Sequence, residues 1–212
     1  QGRDIKLMAD RDAERCILDI LAQSAHPVLA EESGELGALA TSTPCWIVDP
    51  LDGTMNFSRG IPVCAVSIAF GLADAPTLGV VYDFQRDELF SGAIGEGTWR
   101  NGVPVTVSAV DHARNGILAT GFPVNFEYSD IGLQEFAQRI RRFRKTRMIG
   151  SAALSMAYVA CGRFDAYAED DIMLWDIAAG LALIQAAGGW NHMEPSRKKW
   201  ARRVRSASKA SV

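Results

Sequence analysis

The chain reads as a mixed α/β (α+β) protein built in layers, and three observations lead there. Short apolar runs rich in β-branched and aromatic residues, such as Trp46-Ile47-Val48 and Gly79-Val80-Val81-Tyr82, alternate with segments whose apolar residues fall at helical spacing. Acidic residues stand at the ends of those runs, the usual place for site residues in α/β proteins. A chain of 212 residues buries roughly 70% of its unfolded surface, enough for a sizeable core in one unit or two layered halves. The division is expected near residue 110, giving a half over 1–110 and a second over 111–212.

A first helix is expected over residues 10–23, where Ile17, Leu18, Ile20 and Leu21 follow Asp10, a candidate cap. Strands follow around Val28, Ile47, Val66, Val80 and Phe90, and Asn101-Gly102 signals a hairpin into Val105-Thr106-Val107. Beyond Asp111 the pattern gives a strand at 117–120, a helix over 131–143, a strand at 146–149, a helix over 152–160 and a strand near Ala166. A last helix is expected after Asp176 as its N-cap, with an apolar face at Ile177, Leu181, Ile184 and Ala187, ended by Gly188-Gly189. Residues 190–212 carry Arg197, Lys198, Lys199, Arg202, Arg203, Arg205 and Lys209 and read as a solvated, frayed terminus.

The strongest chemical signal lies between Trp46 and Phe57. The strand at Trp46-Ile47-Val48 is expected to end at Asp49, because Pro50 cannot donate a ladder hydrogen bond and turns the chain. Asp49 and Asp52 then leave the strand end close together. Two unpaired carboxylates about 4 Å apart repel by roughly 4 kcal/mol at an effective dielectric of 20, an arrangement best relieved by hard divalent cations between them. Gly53-Thr54 follows at once, where backbone N–H groups can approach an anion. An Asp-Gly pair alone is usually an ordinary turn. Glu31 in Ala30-Glu31-Glu32-Ser33-Gly34 changes that reading, since it too ends an apolar strand, Val28-Leu29, and Asp176 adds a further acid.

Taken together, Asp10, Glu31-Glu32, Asp49-Pro50-Leu51-Asp52-Gly53-Thr54 and Trp175-Asp176, with eleven residues before Gly188-Gly189, resemble the inositol monophosphatase family of magnesium-dependent, lithium-sensitive phosphatases. The likeness continues through Ala65-Val66-Ser67-Ile68-Ala69, Gly95-Glu96-Gly97, Gly150-Ser151-Ala152-Ala153-Leu154 and Phe164-Asp165-Ala166-Tyr167. It implies a layered αβαβα sandwich of the sugar-phosphatase type with the site in the cleft between the halves. It further implies two or three Mg2+ ions held by Glu31, Asp49, the Leu51 carbonyl, Asp52 and Asp176, with Asp49 bridging two of them. Asp10 and Thr54 match the pair that orients the attacking water, with Glu31 and Asp49 beside it. Gly53 and Thr54 match the phosphate contact. Ser151 and Ala152 match backbone donors to the substrate's hydroxyls, and Glu169, with Asp176, matches an acceptor from them. Hydrolysis of a phosphate monoester needs an activated water, neutralised equatorial oxygens and a stabilised leaving alkoxide, and metal ions pinned by acids supply all three.

The implied substrate is a small phosphorylated polyol, inositol monophosphate first. Asn56-Phe57 matches that branch better than the adenosine 3′,5′-bisphosphate phosphatases, for which Lys-Glu-Phe is expected. Fructose-1,6-bisphosphatase and histidinol phosphatase activities are further alternatives on the same scaffold. A homodimer is the expected assembly. The family ordinarily has a helical segment ahead of the position of Asp10, which covers the sheet and supports the dimer; nine residues precede Asp10 in this sequence.

Bulk properties fit an enzyme for small anions. The net charge is −3 with a pI near 5.6, which speaks against nucleic acid as the main ligand. A competing reading, an RNA-binding or transcription-complex protein, rests on the basic tail, on Arg139, Arg141, Arg142, Arg144, Lys145 and Arg147, and on the recruitment of some family members to RNA polymerase. Cys16, Cys45, Cys64 and Cys161 show no metal-ligand spacing and read as reduced thiols of a cytoplasmic protein. No apolar stretch reaches the roughly 20 residues of a membrane helix. His26, His112 and His192 lack partners at ligand spacing and stand outside the chemistry.

Overall fold

The computed structural model describes residues 8–40, 42–122, 126 and 128–209. Its elements run in chain order as α1 (Met8–Leu21), β1 (Val28–Ala30), β2 (Gly34–Leu36), β3 (Cys45–Asp52), α2 (Thr54–Ser58), β4 (Ala65–Leu72), β5 (Ala75–Asp83), β6 (Glu88–Ala93), β7 (Gly97–Arg100) and β8 (Val103–Val105). A 3-10 turn (Ala113–Asn115) leads to β9 (Ile117–Thr120), α3 (Asp130–Ile140), β10 (Lys145–Arg147), α4 (Ala152–Ala160), β11 (Ala166–Met173), α5 (Leu174–Ala186), β12 (Trp190–Pro195) and β13 (Ala201–Ala207).

Two sheets result. The first has the order β2-β1-β3-β4-β5-β6-β7-β8 and the second β10-β9-β11-β13-β12. The first is antiparallel apart from the β1–β3 pair, and the second holds β9 parallel to both β10 and β11. Helices α4 and α5 lie between the sheets. From Ile177 to Ile184 α5 is apolar on every side, with Ile177, Ala178, Ala179, Ala182, Leu183 and Ile184 all buried, as a helix must be when both its faces meet a sheet. Gly79 on β5 makes that contact close: a Cβ there would lie 2.3 Å from the Ala179 carbonyl oxygen. α1 covers the β1–β3 end of the first sheet through Ile17, Leu18 and Leu21 against Val28, Ala30 and Val48. Ile140 of α3 and Phe143 in the turn after it pack against Leu118, Ala166 and Ala207 on the far face of the second sheet. The order of layers is therefore αβαβα. Away from α1 the outer face of the first sheet shows partly exposed Val66, Phe70, Leu78 and Val80, which alternate with buried inner residues such as Ala65, Ala69 and Val81.

Three features depart from the sequence-based expectation. β3 does not stop at Asp49 but continues to Asp52, with a register shift against β4 between Asp49 and Asp52; a bulge accommodates Pro50 and re-aims the side chains there. The helices begin earlier than their acids suggested, so that Asp10 and Asp176 sit inside the first turns of α1 and α5 and are not N-caps. The basic tail is not frayed over 190–207. β13 runs between β11 and β12, Arg202 is buried with its guanidinium on Asp74, and Arg203 and Arg205 reach Asp170. The Asn101-Gly102 hairpin forms with positive φ at both residues, as its turn type requires, and returns as β8 over Val103–Val105.

Candidate active site

The sequence-predicted acids meet where β1 and β3 of the first sheet end against the N-termini of α1, α4 and α5. Glu31 leaves β1, and its N–H bonds the Val48 carbonyl of β3 at 3.1 Å. Asp49 lies in the bulge of β3, buried to 1% exposure, with Oδ1 accepting the Leu51 N–H at 2.9 Å. Asp176 projects from the first turn of α5 and accepts the Met173 N–H at 3.2 Å. Carboxylate oxygens of Glu31, Asp49 and Asp176 all lie within 4.8 Å of one another.

This cluster is electrostatically uncomfortable. Desolvation pushes the Asp49 carboxyl well above the usual carboxylate range, and the charges of Glu31, Asp52 and Asp176 push it further. Asp176 is raised in the same way, first by desolvation and then by Asp52 and Glu31. The hard oxygen donors, the crowding and the shared burial fit a divalent cation such as Mg2+. The positive ends of α4 and α5 offset part of the charge.

Asp52 is near enough to raise both Asp49 and Asp176 but stands outside that trio. Its carboxylate sits on the N-terminus of α4, where it accepts the Ser151 hydroxyl, the Ala152 N–H at 3.3 Å and the Ala153 N–H at 2.8 Å. Burial nonetheless lifts its pKa to about 6, against the pull of those donors. Of the backbone donors expected to meet substrate hydroxyls, that of Ala152 is directed to Asp52, whereas Ser151 gives Asp52 its side-chain hydroxyl; both residues line the neighbouring cavity.

Thr54 opens α2, and its hydroxyl lies 3.1 Å from both Asp10 Oδ1 and the Leu51 carbonyl. Asp10 and Thr54 thus meet across 44 residues of sequence. The preceding Gly53 has φ +87, and a Cβ there would fall 2.8 Å from the Val63 carbonyl oxygen, so only glycine fits. A cavity of about 430 Å³ opens beside Asp52, lined by Thr120, Ser151, Ser155, Glu169 and the apolar Phe122 and Met148, with no Lys or Arg among the described residues. Glu169 accepts the Tyr167 hydroxyl at 2.8 Å there, and burial raises its pKa to about 7.

The structural roles of two residues escaped the sequence reading. Asn56 is buried in α2 and donates from Nδ2 to the Val63 and Ile149 carbonyls at 2.7 and 2.8 Å, tying the Asp52-Gly53 turn to the segment ahead of α4. Glu14 is buried on α1, four residues after Asp10. Its signal was present: positions 10, 14, 17, 18 and 21 form one helical stripe, apolar from Ile17 on, and an acid that such a stripe buries needs a partner.

Two mixed sheets sandwiching two helices, with acids converging at the seam beside an open cavity, are the architecture of the sugar-phosphatase class. The inositol monophosphatase family profile matches residues 2–207, and the chain belongs to that family. Over 189 residues it is 42% identical to an inositol-1-monophosphatase of Synechocystis sp., a match covering 88% of this chain and 66% of that protein. The chain thus spans just under two thirds of that relative. It is 39% identical over 191 residues to Nus factor SuhB of Escherichia coli K12, covering 89% of this chain and 71% of that protein. Among solved structures, the inositol monophosphatase of Anabaena (Nostoc) sp. superposes with a TM-score of 0.86 at 37% identity, over 95% of this chain and 82% of that one.

Proposed function

We propose that this chain catalyses Mg2+-dependent hydrolysis of a small polyol phosphate monoester, with inositol monophosphate as its preferred substrate. The observation that carries the reading is the convergence of Glu31, Asp49 and Asp176 within 4.8 Å, in surroundings that oppose their joint ionisation unless a cation is present. Glu31, Asp49, the Leu51 carbonyl, Asp52 and Asp176 would hold the ions. Bound there, Mg2+ supplies a water of lowered pKa, neutralisation of the phosphate oxygens and stabilisation of the departing alkoxide.

The chain's own groups do the rest. Asp10 accepts from the Thr54 hydroxyl, which leaves a Thr54 lone pair to orient the attacking water. The Gly53 and Thr54 N–H groups, held open by the left-handed Gly53, meet the phosphate. Glu169, poised near neutrality, accepts from the substrate's hydroxyls. The absence of Lys and Arg from the cavity lining among the described residues favours a substrate with one phosphate over fructose 1,6-bisphosphate or adenosine 3′,5′-bisphosphate, whose second phosphate asks for a cation.

The ion pairs of the basic tail weigh against an RNA-binding role. Arg197, Lys199, Arg202, Arg203 and Arg205 are each matched to an acid of the fold. Arg202 and Arg205, largely covered in those pairs, leave little of their guanidinium groups for a polyanion.

The deciding experiment measures phosphate release with and without Mg2+ from inositol 1-phosphate, fructose 1,6-bisphosphate, histidinol phosphate and adenosine 3′,5′-bisphosphate, with Asp49→Asn as the blank. Metal-dependent release from inositol 1-phosphate above the others is expected, with Asp49→Asn folded and inactive. Full activity of Asp49→Asn would sink the assignment.

A further inference from the structure

Glu14 lies outside every role assigned above, yet it is 2% exposed and bonded on both oxygens. Oε2 accepts the Glu32 N–H at 2.9 Å and Oε1 accepts the Ser33 hydroxyl. Both donors belong to the turn between β1 and β2 that begins with Glu31. That turn has little stiffness of its own, since each flanking strand is three residues long. On one side the Glu31 backbone is held by its N–H to Val48; on the other the grip comes from α1, through Glu14 and through Arg11, whose Nε lies 4.0 Å from Glu32 Oε2. One helical turn before Glu14, Asp10 reaches Thr54 from the same buried stripe.

We propose that Glu14 is a positioning residue of the cation site: it fixes the turn that presents Glu31, and thereby sets divalent-cation affinity without contacting the ion. This deepens the metal-site reading and rests on it. A buried carboxylate suits the task because both of its oxygens accept, so one side chain immobilises two successive donors of the turn. Glutamine keeps one acceptor and turns an NH2 toward the other donor; alanine leaves both unmet.

The test titrates Mg2+ calorimetrically into the full chain and into its Glu14→Gln, Glu14→Ala, Ser33→Ala and Asp49→Asn variants, with circular dichroism and thermal melts reporting the fold. Glu14→Ala is expected to weaken Mg2+ binding by about 10–100-fold, the range found for partners that orient metal ligands. Glu14→Gln and Ser33→Ala should fall between it and the unaltered chain. At saturating Mg2+ the KM for inositol 1-phosphate should stay within about threefold. A residue that merely braces the fold would lower the melting temperature and leave Mg2+ affinity alone. Unaltered Mg2+ affinity in folded Glu14→Gln and Ser33→Ala overturns this inference by itself, even if Glu14→Ala fails to fold. No Mg2+ binding by the unaltered chain, or undiminished binding by Asp49→Asn, overturns the metal site and this inference with it.

Discussion

Asn56 illustrates how a single amide can hold two distant parts of the site in register. Its NH2 group satisfies the Val63 and Ile149 carbonyls, with the Gly150 carbonyl at 3.2 Å, in a position 9% exposed. Glycine at 150 allows this closeness: its φ is +75, and a Cβ there would meet Asn56 Nδ2 at 3.0 Å. Removing the amide leaves carbonyls without donors, at about 1–3 kcal/mol, and a domain of this size loses roughly 2–4 °C of Tm per kcal/mol. Asn56→Ala is therefore expected to melt several degrees lower. Asn56→Asp should be worse, since it faces carboxylate oxygens toward carbonyl oxygens close to an already acidic site. A thermal melt with Asn56→Asp at or above Asn56→Ala would refute this account.

Among the elements, α5 shows most clearly how sequence becomes architecture. Its run of Ala, Gly, Leu and Ile carries no polar face, and small residues let both neighbours approach: a Cβ on Gly180 would lie 2.4 Å from Met156 Cβ of α4. The same demand falls on Gly79 of β5. Gly79→Ala has no soft side chain to displace, only the backbone of α5, so overpacking of about 1–3 kcal/mol should appear as a lower Tm, and because α5 carries Asp176, as weaker Mg2+ binding. An unchanged melt would mean that α5 and β5 are free to separate.

This element-level picture also explains what the sequence disclosed. The helix over Ala152–Ala160 and the strand Ile117–Thr120 were legible to the residue, because their apolar runs have sharp polar or glycine borders. Glu31 and Asp49 drew notice because each follows an apolar strand run, and Asp176 because it opens an apolar helical run. β12 and β13 were not, since Asp74 and Asp170, which pair with Arg202, Arg203 and Arg205 of β13, lie far along the chain; a local charge pattern shows mostly the cations. The surroundings of Asp52 were hidden for the same reason, as its donors sit 99 to 101 residues further along.

At the scale of the whole molecule, the acids at the seam between the layers should make stability depend on pH and cation together. Asp52 has a folded pKa of about 6 against an ordinary 3.8, and Glu169 about 7 against 4.5. A raised folded pKa means that the fold prefers these groups protonated. Their contribution is then complete below about pH 4 and is lost as pH climbs through 6 to 7. For Asp52 the difference is on the order of 3 kcal/mol. Acids whose ion pairs lower their pKa, such as Glu88 beside Arg163, gain stability over the acidic range instead, so a bare pH–Tm curve mixes both signs. The cation separates them. Mg2+ held as proposed would bind only the ionised cluster and stabilise the fold by mass action, so it should scarcely move Tm at pH 5 and raise it clearly at pH 8. Melts in EDTA and in excess Mg2+ across that range give the difference directly, and in Asp49→Asn the gap at pH 8 should shrink. A gap that is constant with pH would mean that the cation meets no protonated acids, and that burial does not hold these carboxyls back from ionising.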